Sequence, residues 1–340
     1  YLGRFVPVAA DATPLFTVPL PWVPLIVSPR TLVALTAILG LAVVHIRGLG
    51  PGVLVQNTLA ILKVGALALF VAIGLGVGRG SFANFSSAPD AASFNWPLAF
   101  IVVMFSYSGW NAASYVAEEI RDPGRNVPRA LALGTIAVVL LYLGLNVLYV
   151  YAVPIGAFGA GEQSEIAMVA ADSLFGPTAA RILGGLAVVV LLGSLSAMTI
   201  AGPRVYFAMA RDGVFFRPAA RVHPKFRTPW VAIVAQTAWS AILILTNTKD
   251  QLAEYTGFAV LLFSAFAVSV VFVLRRRQPD EPRPFKTWGY PVTPAVFVAA
   301  SAVITVAAIA GRPGPSLFGA LIIAAGVPVY YLYSKRRHRS

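Results

Sequence analysis

The chain has 340 residues, of which 58% are hydrophobic and 11% charged, and its mean hydropathy is +0.78. A soluble domain carries roughly 25% charged residues, so this composition excludes a chain whose whole surface faces water. Many apolar blocks approach the roughly 20 residues that span a bilayer as a helix. We predict an all-α membrane protein, because lipid offers backbone groups no partner outside their own helix.

The apolar runs and their breakers predict nine membrane spans. In chain order they are 31–46, 52–78, 96–118, 130–154, 180–209, 229–246, 252–274, 291–311 and 314–334. The third and fifth spans contain clusters of Gly and Ser near their middles, which indicates a break or a kink in each.

The net charge is +13, but the basic residues lie in short loops between spans, where they indicate membrane topology rather than nucleic-acid binding. They concentrate after the odd-numbered spans, at Arg47, Arg121, Arg125, Arg129, Arg211, Arg217, Arg221, Lys225, Arg227, Arg275, Arg276, Arg277, Arg283, Lys286, Lys335, Arg336, Arg337 and Arg339. The positive-inside rule then predicts a multi-pass protein of the cell (inner) membrane with a cytoplasmic C-terminus.

The same rule places residues 1–30 outside, although no preceding segment in the sequence could carry them across. We therefore expect 1–30 to be a Pro-rich external loop that follows spans absent from this chain. The lack of cysteine excludes disulfides and thiolate metal sites. The three histidines lie far apart in the sequence, so we predict no metal centre and no cofactor.

Small polar residues interrupt the third span at Ser106, Ser108, Gly109 and Asn111. They weaken the helical hydrogen-bond ladder, and unwinding would free backbone groups that transporters use to hold charged substrate groups. A helix-packing face of small residues has the same composition. The residues alone leave both interpretations open.

The stretch SGWNAASYVAEEIRDPGRNVPRAL (108–131) resembles the sixth helix and following loop of the amino acid–polyamine–organocation (APC) transporter superfamily. The nearest branch is the L-type amino acid transporter and basic amino acid antiporter group. Four further segments resemble that family in order and spacing: VQNTLAILKVGALAL (55–69), GSLSAMTIAGPRVYFAMARDGVFF (193–216), HPKFRTPWVA (223–232) and RPFKTWGYPVTP (283–294). The resemblance covers essentially the whole chain.

This resemblance implies a LeuT-like five-plus-five inverted-repeat transporter, truncated so that the nine spans correspond to family helices 4 to 12. Residues 1–340 would form a single transmembrane transporter domain that is N-terminally incomplete. Its parts would be the external loop 1–30, the end of the first repeat at 31–78, the second repeat at 96–274 and two additional C-terminal helices at 291–334. Those two helices are a candidate homodimer interface. The family's first helix, which supplies half of the substrate site, has no counterpart here.

The function that the resemblance implies is secondary active amino acid transport by alternating access, as proton-coupled symport or exchange. An integral-membrane enzyme is not expected, because no acids, bases or metal ligands cluster at a span end. An amine, polyamine or cationic amino acid exchanger of the same fold remains an alternative. A non-transporting membrane remnant or scaffold is the alternative of another class.

The family's substrate residues carry over to five positions. Phe105 matches an aromatic gate over bound substrate, the alternative being a core aromatic. Ser106, Ser108 and Gly109 match positions whose backbone contacts the substrate amino group, and Asn111 would contact substrate or brace the unwound segment. The first carboxylate after this group is Glu118, which favours neutral amino acids. Around Glu118, acidic and basic residues alternate, as in a salt-bridged inner gate or a solvated loop.

Lys63 lies near the middle of the span 52–78, where a charge costs at least about 2.5 kcal/mol on insertion scales. The resemblance places Lys63 where sodium-coupled relatives bind a cation, beside the eighth helix, with Ser194 and Ser196 facing it. We hypothesise that Lys63 replaces sodium, either structurally or as the proton-coupling group. The alternative is a lysine neutralised by an internal partner.

Overall fold

A computed structural model of the chain describes residues 1–19, 24–86, 99–100, 103–104, 106–155, 166–246, 249–311 and 313–337. The helices in this part of the chain are α1 (Pro29–Ile46), α2 (Leu49–Val77), α3 (Ala112–Tyr115), α4 (Pro123–Ala152), α5 (Ile166–Phe175), α6 (Pro177–Arg211), α7 (Trp230–Thr246), α8 (Lys249–Arg277), α9 (Val292–Gly311) and α10 (Pro313–Arg337). Short 3-10 helices lie at Leu2–Arg4, Pro7–Ala10, Phe82–Ser86, Ala117–Glu119 and Arg217–Ala220.

Five helical segments are long and apolar enough to cross a membrane, judged by length and composition: Pro29–Ile46, Gly52–Val77, Pro123–Ala152, Pro177–Arg211 and Ala259–Arg277. Large aliphatic side chains on these helices remain exposed, as Ile61 (74%) and Ile182 (70%) illustrate. A surface of this kind suits lipid, because the hydrocarbon interior accepts apolar side chains that water would not. The prediction of a helical, multi-pass membrane protein is confirmed at this level.

The start of α1 follows from its local sequence. Ser28 and Thr31 form a capping box: the Ser28 hydroxyl accepts the Thr31 N–H at 3.3 Å, and the Thr31 hydroxyl accepts the Ser28 N–H at 2.8 Å. Pro29 occupies the first helical position, where its missing N–H costs nothing. The helix therefore begins two residues before the predicted span 31–46.

The predicted all-α class has one exception in the described residues. The Pro-rich segment before α1 contains an antiparallel hairpin in which strand β1 (Phe16–Val18) pairs with strand β2 (Leu25–Val27). Both strands are three residues long and contain β-branched and bulky apolar side chains, which favour extended backbone. Such short runs between prolines give too little periodicity for a strand to be predicted.

The fifth predicted span (180–209) is not broken, because α6 is one continuous helix from Pro177 to Arg211 with Pro203 inside it; a kink in this span stays a prediction. Proline removes the N–H that would bond the Thr199 carbonyl four residues earlier, and side chains donate to the two carbonyls on either side of it. Here Gln236 Nε2 on α7 donates to the Met198 carbonyl at 3.1 Å, and Arg204 Nη1 donates to the Ile200 carbonyl at 2.6 Å.

The chain forms two compact units. The first comprises Tyr1–Ser93, Ala132–Phe207 and Pro218–Thr246, and the second comprises Phe94–Leu131, Ala208–Arg217 and Asn247–Ser340. The division into inverted repeats and additional helices stays a prediction.

The core of the first unit lies where α5 packs beside α4. Leu148 and Ala152 of α4 pack with Ala170 and Leu174 of α5 in one buried cluster. The sequence reading missed α5 because its ten residues lie between two predicted spans and are too few to cross a bilayer. Ser173 ties it to α4, since its hydroxyl donates to the Ala152 carbonyl at 2.9 Å.

We expect Gly74→Val to destabilise the protein by about 1–3 kcal/mol, as overpacking of a filled core does. A Cβ at position 74 would overlap the side chain of Leu148, which is fully buried. Gly76→Val on the same helix is the matched control, because nothing lies within 4 Å of a Cβ there. Thermal unfolding in detergent measures both, and equal melting temperatures would contradict this packing.

Candidate substrate and coupling sites

The third predicted span is interrupted at the expected place. Residues 103–104 and 106 are helical, residues 107–111 form a turn, and the short helix α3 follows. Gly109 has φ +94°, a conformation that favours glycine because it has no Cβ. The predicted break is therefore confirmed in the described residues, and glycine is the residue that permits it.

The regular hydrogen-bond ladder of the described residues stops at the turn. Within the described residues, the N–H groups of 108–111 form no hydrogen bond of normal geometry to a backbone carbonyl. The ladder resumes where the Ala112 N–H donates to the Gly109 carbonyl at 3.0 Å. Ser108, Gly109 and Asn111 are half-buried, whereas Ser106 is exposed. Phe105 lies outside the described residues, and its gating role stays a prediction.

Asn111 braces the turn against α3. Its side-chain amide donates to the Tyr115 hydroxyl, and its backbone carbonyl accepts a hydrogen bond from the Ser114 hydroxyl at 2.6 Å. The neighbouring Trp110 ring meets Phe297 edge-on, with ring centroids 6.4 Å apart. These contacts fix the far end of the turn, while direct contact of Asn111 with substrate stays a prediction.

Glu118, which follows the turn, pairs with a more distant arginine than the sequence suggests. Arg211 at the end of α6 donates to both Glu118 carboxylate oxygens, at 2.6 and 3.0 Å. Glu118 lies outside the five membrane-spanning helices, and the hydrogen bonds and charge of Arg211 lower the pKa of its carboxyl. The pair is therefore charged at neutral pH, and its stabilisation is lost as the pH falls through that lowered pKa.

Lys63 lies on the face of α2 that packs against α6. Leu59, one turn earlier, contacts Gly193 so closely that a methyl group at position 193 would sit 3.3 Å from the Leu59 Cβ. Lys63 is half-buried and, among the described residues, forms no hydrogen bond or ion pair. Ser194 is exposed, and its hydroxyl donates to the Val190 carbonyl of its own helix at 3.2 Å.

The two helices run in opposite directions, which separates Lys63 from Ser196. A cavity of about 170 Å³ is lined by Leu67 of α2 together with Leu183 and Val190 of α6, while the Leu59 contact lies further along α6. Lys63 and Ser196 thus lie on opposite sides of that contact. At 1.5 Å per residue they are about 10 Å apart along the axes. The coupling role of Lys63 stays a prediction.

The Ser196 hydroxyl instead lies 3.0 Å from Nε2 of His45, a contact that sequence reasoning missed. Both side chains are buried, at 0% and 4% exposure. Close by, the Thr228 hydroxyl donates to the Ile46 carbonyl at 2.9 Å and caps the end of α1. An ionisable residue inside an apolar span is the signal that could have drawn attention to His45. In the described residues, no group of three metal-ligating side chains could hold a metal ion.

Comparison with known proteins gives a match to one family over most of the chain. The sequence model of the family described as "Amino acid permease" matches residues 15–332. The chain is 30% identical to the serine/threonine exchanger SteT of Bacillus subtilis (strain 168), over 90% of this chain and 70% of SteT.

Two further relatives are similar over 84% of this chain. They are the large neutral amino acids transporter small subunit 2 of Homo sapiens, at 29% identity, and the branched-chain amino acid permease BcaP of Bacillus subtilis (strain 168), at 27%. The chain spans 54% and 60% of the lengths of these two proteins.

We expect the Glu118–Arg211 pair to order the 3-10 helix Ala117–Glu119. Glu118→Arg and Arg211→Glu should each speed amide hydrogen exchange there, because each places like charges together. The double variant, with the charges exchanged, should slow it again. Hydrogen–deuterium exchange near neutral pH makes the comparison, and a double variant that exchanges as fast as either single one would contradict the pairing.

Proposed function

This chain belongs to the amino acid permease family, and on that premise we propose that it carries amino acids across the cell membrane by secondary active, alternating-access transport. Permeases move solutes without transforming them, in agreement with the expectation that the chain is not an enzyme. The observation that carries the proposal is the interrupted helix at Ser106–Asn111 within a chain that otherwise consists largely of long apolar helices.

An interrupted helix offers complementary groups to a zwitterion. N–H groups released at the turn can donate to a carboxylate, and released carbonyls accept hydrogen bonds from an ammonium group. The N–H groups of Ser108 and Gly109, which lack normal backbone acceptors in the described residues, are the donors we assign to the substrate carboxylate. For the α-amino group we assign backbone carbonyls of Ser106, Ser108 and Gly109, with Phe105 as the gate.

We propose neutral amino acids as the substrates. A cationic side chain would require a carboxylate at the site, yet Glu118, the first one after Phe105, is engaged by Arg211. The names of the three relatives, which refer to serine and threonine, large neutral amino acids and branched-chain amino acids, favour the same class.

The finer architecture completes the proposal. We assign the described helices to a LeuT-like arrangement that corresponds to family helices 4 to 12, with the C-terminus in the cytoplasm. The basic residues Arg275, Arg276 and Arg277 at the end of α8 support that orientation under the positive-inside rule. The two C-terminal helices, α9 and α10, are the proposed homodimer interface.

Uptake of a labelled amino acid panel by the full-length protein in proteoliposomes tests the proposal. We expect saturable uptake of neutral amino acids that rises with an inward proton gradient. Uptake that requires amino acids preloaded inside the vesicles would identify an exchanger and make Lys63 a structural charge. Uptake of amines or cationic amino acids alone would contradict neutral specificity, and an inert protein would contradict transport.

Lys63→Met in the same vesicles tests the coupling role. Removing the amine should abolish the stimulation by the proton gradient, because no charge at position 63 could then change during the cycle. Lys286→Met, which removes a lysine from the loop between α8 and α9, is the matched control and should behave like the wild type. Unchanged gradient dependence in Lys63→Met would exclude Lys63 as the coupling group.

A further inference from the structure

His45 is a buried ionisable side chain within the membrane-spanning helix α1. Ionisable groups inside membrane spans are costly and commonly mark proton or ion pathways. Neither the substrate site nor the proposed role of Lys63 uses this histidine. Its partner is Ser196, one of the two serines that the sequence assigned to Lys63.

Three helices meet at the imidazole ring. Nε2 contacts the Ser196 hydroxyl of α6 at 3.0 Å. On the other side, a methyl group at Gly52 of α2 would overlap Nδ1, so the start of α2 packs directly on the ring. The ring therefore contacts α2 and α6 from its position on α1. A change in its protonation state affects the packing of all three helices.

Protonation changes what this contact can form. A neutral imidazole has one donor and one acceptor nitrogen, and a serine hydroxyl can take either role opposite it. An imidazolium donates from both nitrogens. Whichever tautomer the neutral ring adopts, the protonated ring can no longer accept the Ser196 hydroxyl proton, and it must present an N–H on the side where Gly52 packs. Adding a proton therefore favours separation of α2 from the ring.

Among the described residues, the charged group that acts electrostatically on His45 is Arg204 of α6. Arg47 caps the end of α1, and Arg227 is the chain neighbour of Thr228, which donates to the Ile46 carbonyl. On α2, Lys63 lies eleven residues beyond Gly52, about 16 Å along the helix axis. A proton on His45 raises the electrostatic energy of the contact with α6, because Arg204 is positive.

We propose that His45 is a second protonatable group of the transport cycle, a positioning residue whose protonation loosens the joint contact of α1, α2 and α6. Ser196 then acts as the hydrogen-bond partner of His45 rather than as a ligand of Lys63. This inference rests on the proposed transport function. It adds to that function a contact, between His45 of α1 and Ser196 of α6, that responds to protonation.

The test compares the pH dependence of uptake by the wild type and by His45→Gln. Glutamine can still hydrogen-bond to Ser196 but does not titrate, so uptake should persist while its pH dependence weakens. We expect the ratio of uptake at about pH 5.5 to uptake at about pH 7.5 to move at least about threefold towards one, within the range where histidine titrates. His338→Gln, in the tail, is the matched control.

A second measurement does not depend on transport. The chain has three histidines, so NMR of the histidine-labelled full-length protein can follow each ring, with His223→Gln and His338→Gln to assign the signals. The His45 signal should shift as the pH is lowered across the range used for the uptake comparison, and Ser196→Ala should change that response. Because this NMR measurement uses the wild-type histidine, it still tests the proposal if the His45→Gln variant fails to fold.

The outcomes separate the two proposals. A wild type that transports no amino acid would contradict the proposed function. Wild-type uptake whose pH profile is unchanged in His45→Gln, or a His45 ring that does not titrate over this range, would overturn the role of His45 alone. A flattened profile together with a titrating ring that responds to Ser196→Ala would support it.

Discussion

Backbone hydrogen bonding is the constraint on which the rest of this structure depends. In hydrocarbon, an N–H or C=O group without a partner costs several kcal/mol, so a chain that crosses a membrane must satisfy these groups internally. Helix α6 remains continuous across Pro203, and Gln236 of α7 donates to the Met198 carbonyl nearby. The turn at 107–111 is different, because backbone donors leave the ladder beside half-buried small residues. We interpret that exception as the substrate site.

Local chemistry made much of this architecture predictable from the sequence. Apolar length predicted the long helices, and the small polar residues before Asn111 predicted the interruption. The same composition near Gly193 suggested a break or a kink in α6, yet the helix is unbroken there and packs closely on α2. Composition reports how readily a helix can unwind, whereas the surrounding contacts decide whether it does. The short helix α5 was missed because burial by tertiary packing, not length, stabilises it.

Pairings between distant residues could not be read from the sequence. Glu118 is surrounded in sequence by arginines, yet its partner is Arg211, 93 positions later. Ser196 was expected to face Lys63, but it contacts His45, 151 positions earlier. Both pairings depend on how the helices are arranged in space, and a hydropathy pattern does not contain that information. A structure therefore adds most for polar groups whose partners lie far away in the sequence.

The most direct measurement of the central claim is substrate protection at the interrupted helix. The chain has no cysteine, so Ser108→Cys introduces a unique thiol at the turn, and Trp288→Cys supplies a control at a side chain that is 81% exposed. We expect a saturating, transported neutral amino acid to slow maleimide labelling at position 108 several-fold and to leave position 288 unaffected. Equal labelling at position 108 with and without that amino acid would contradict binding at the turn.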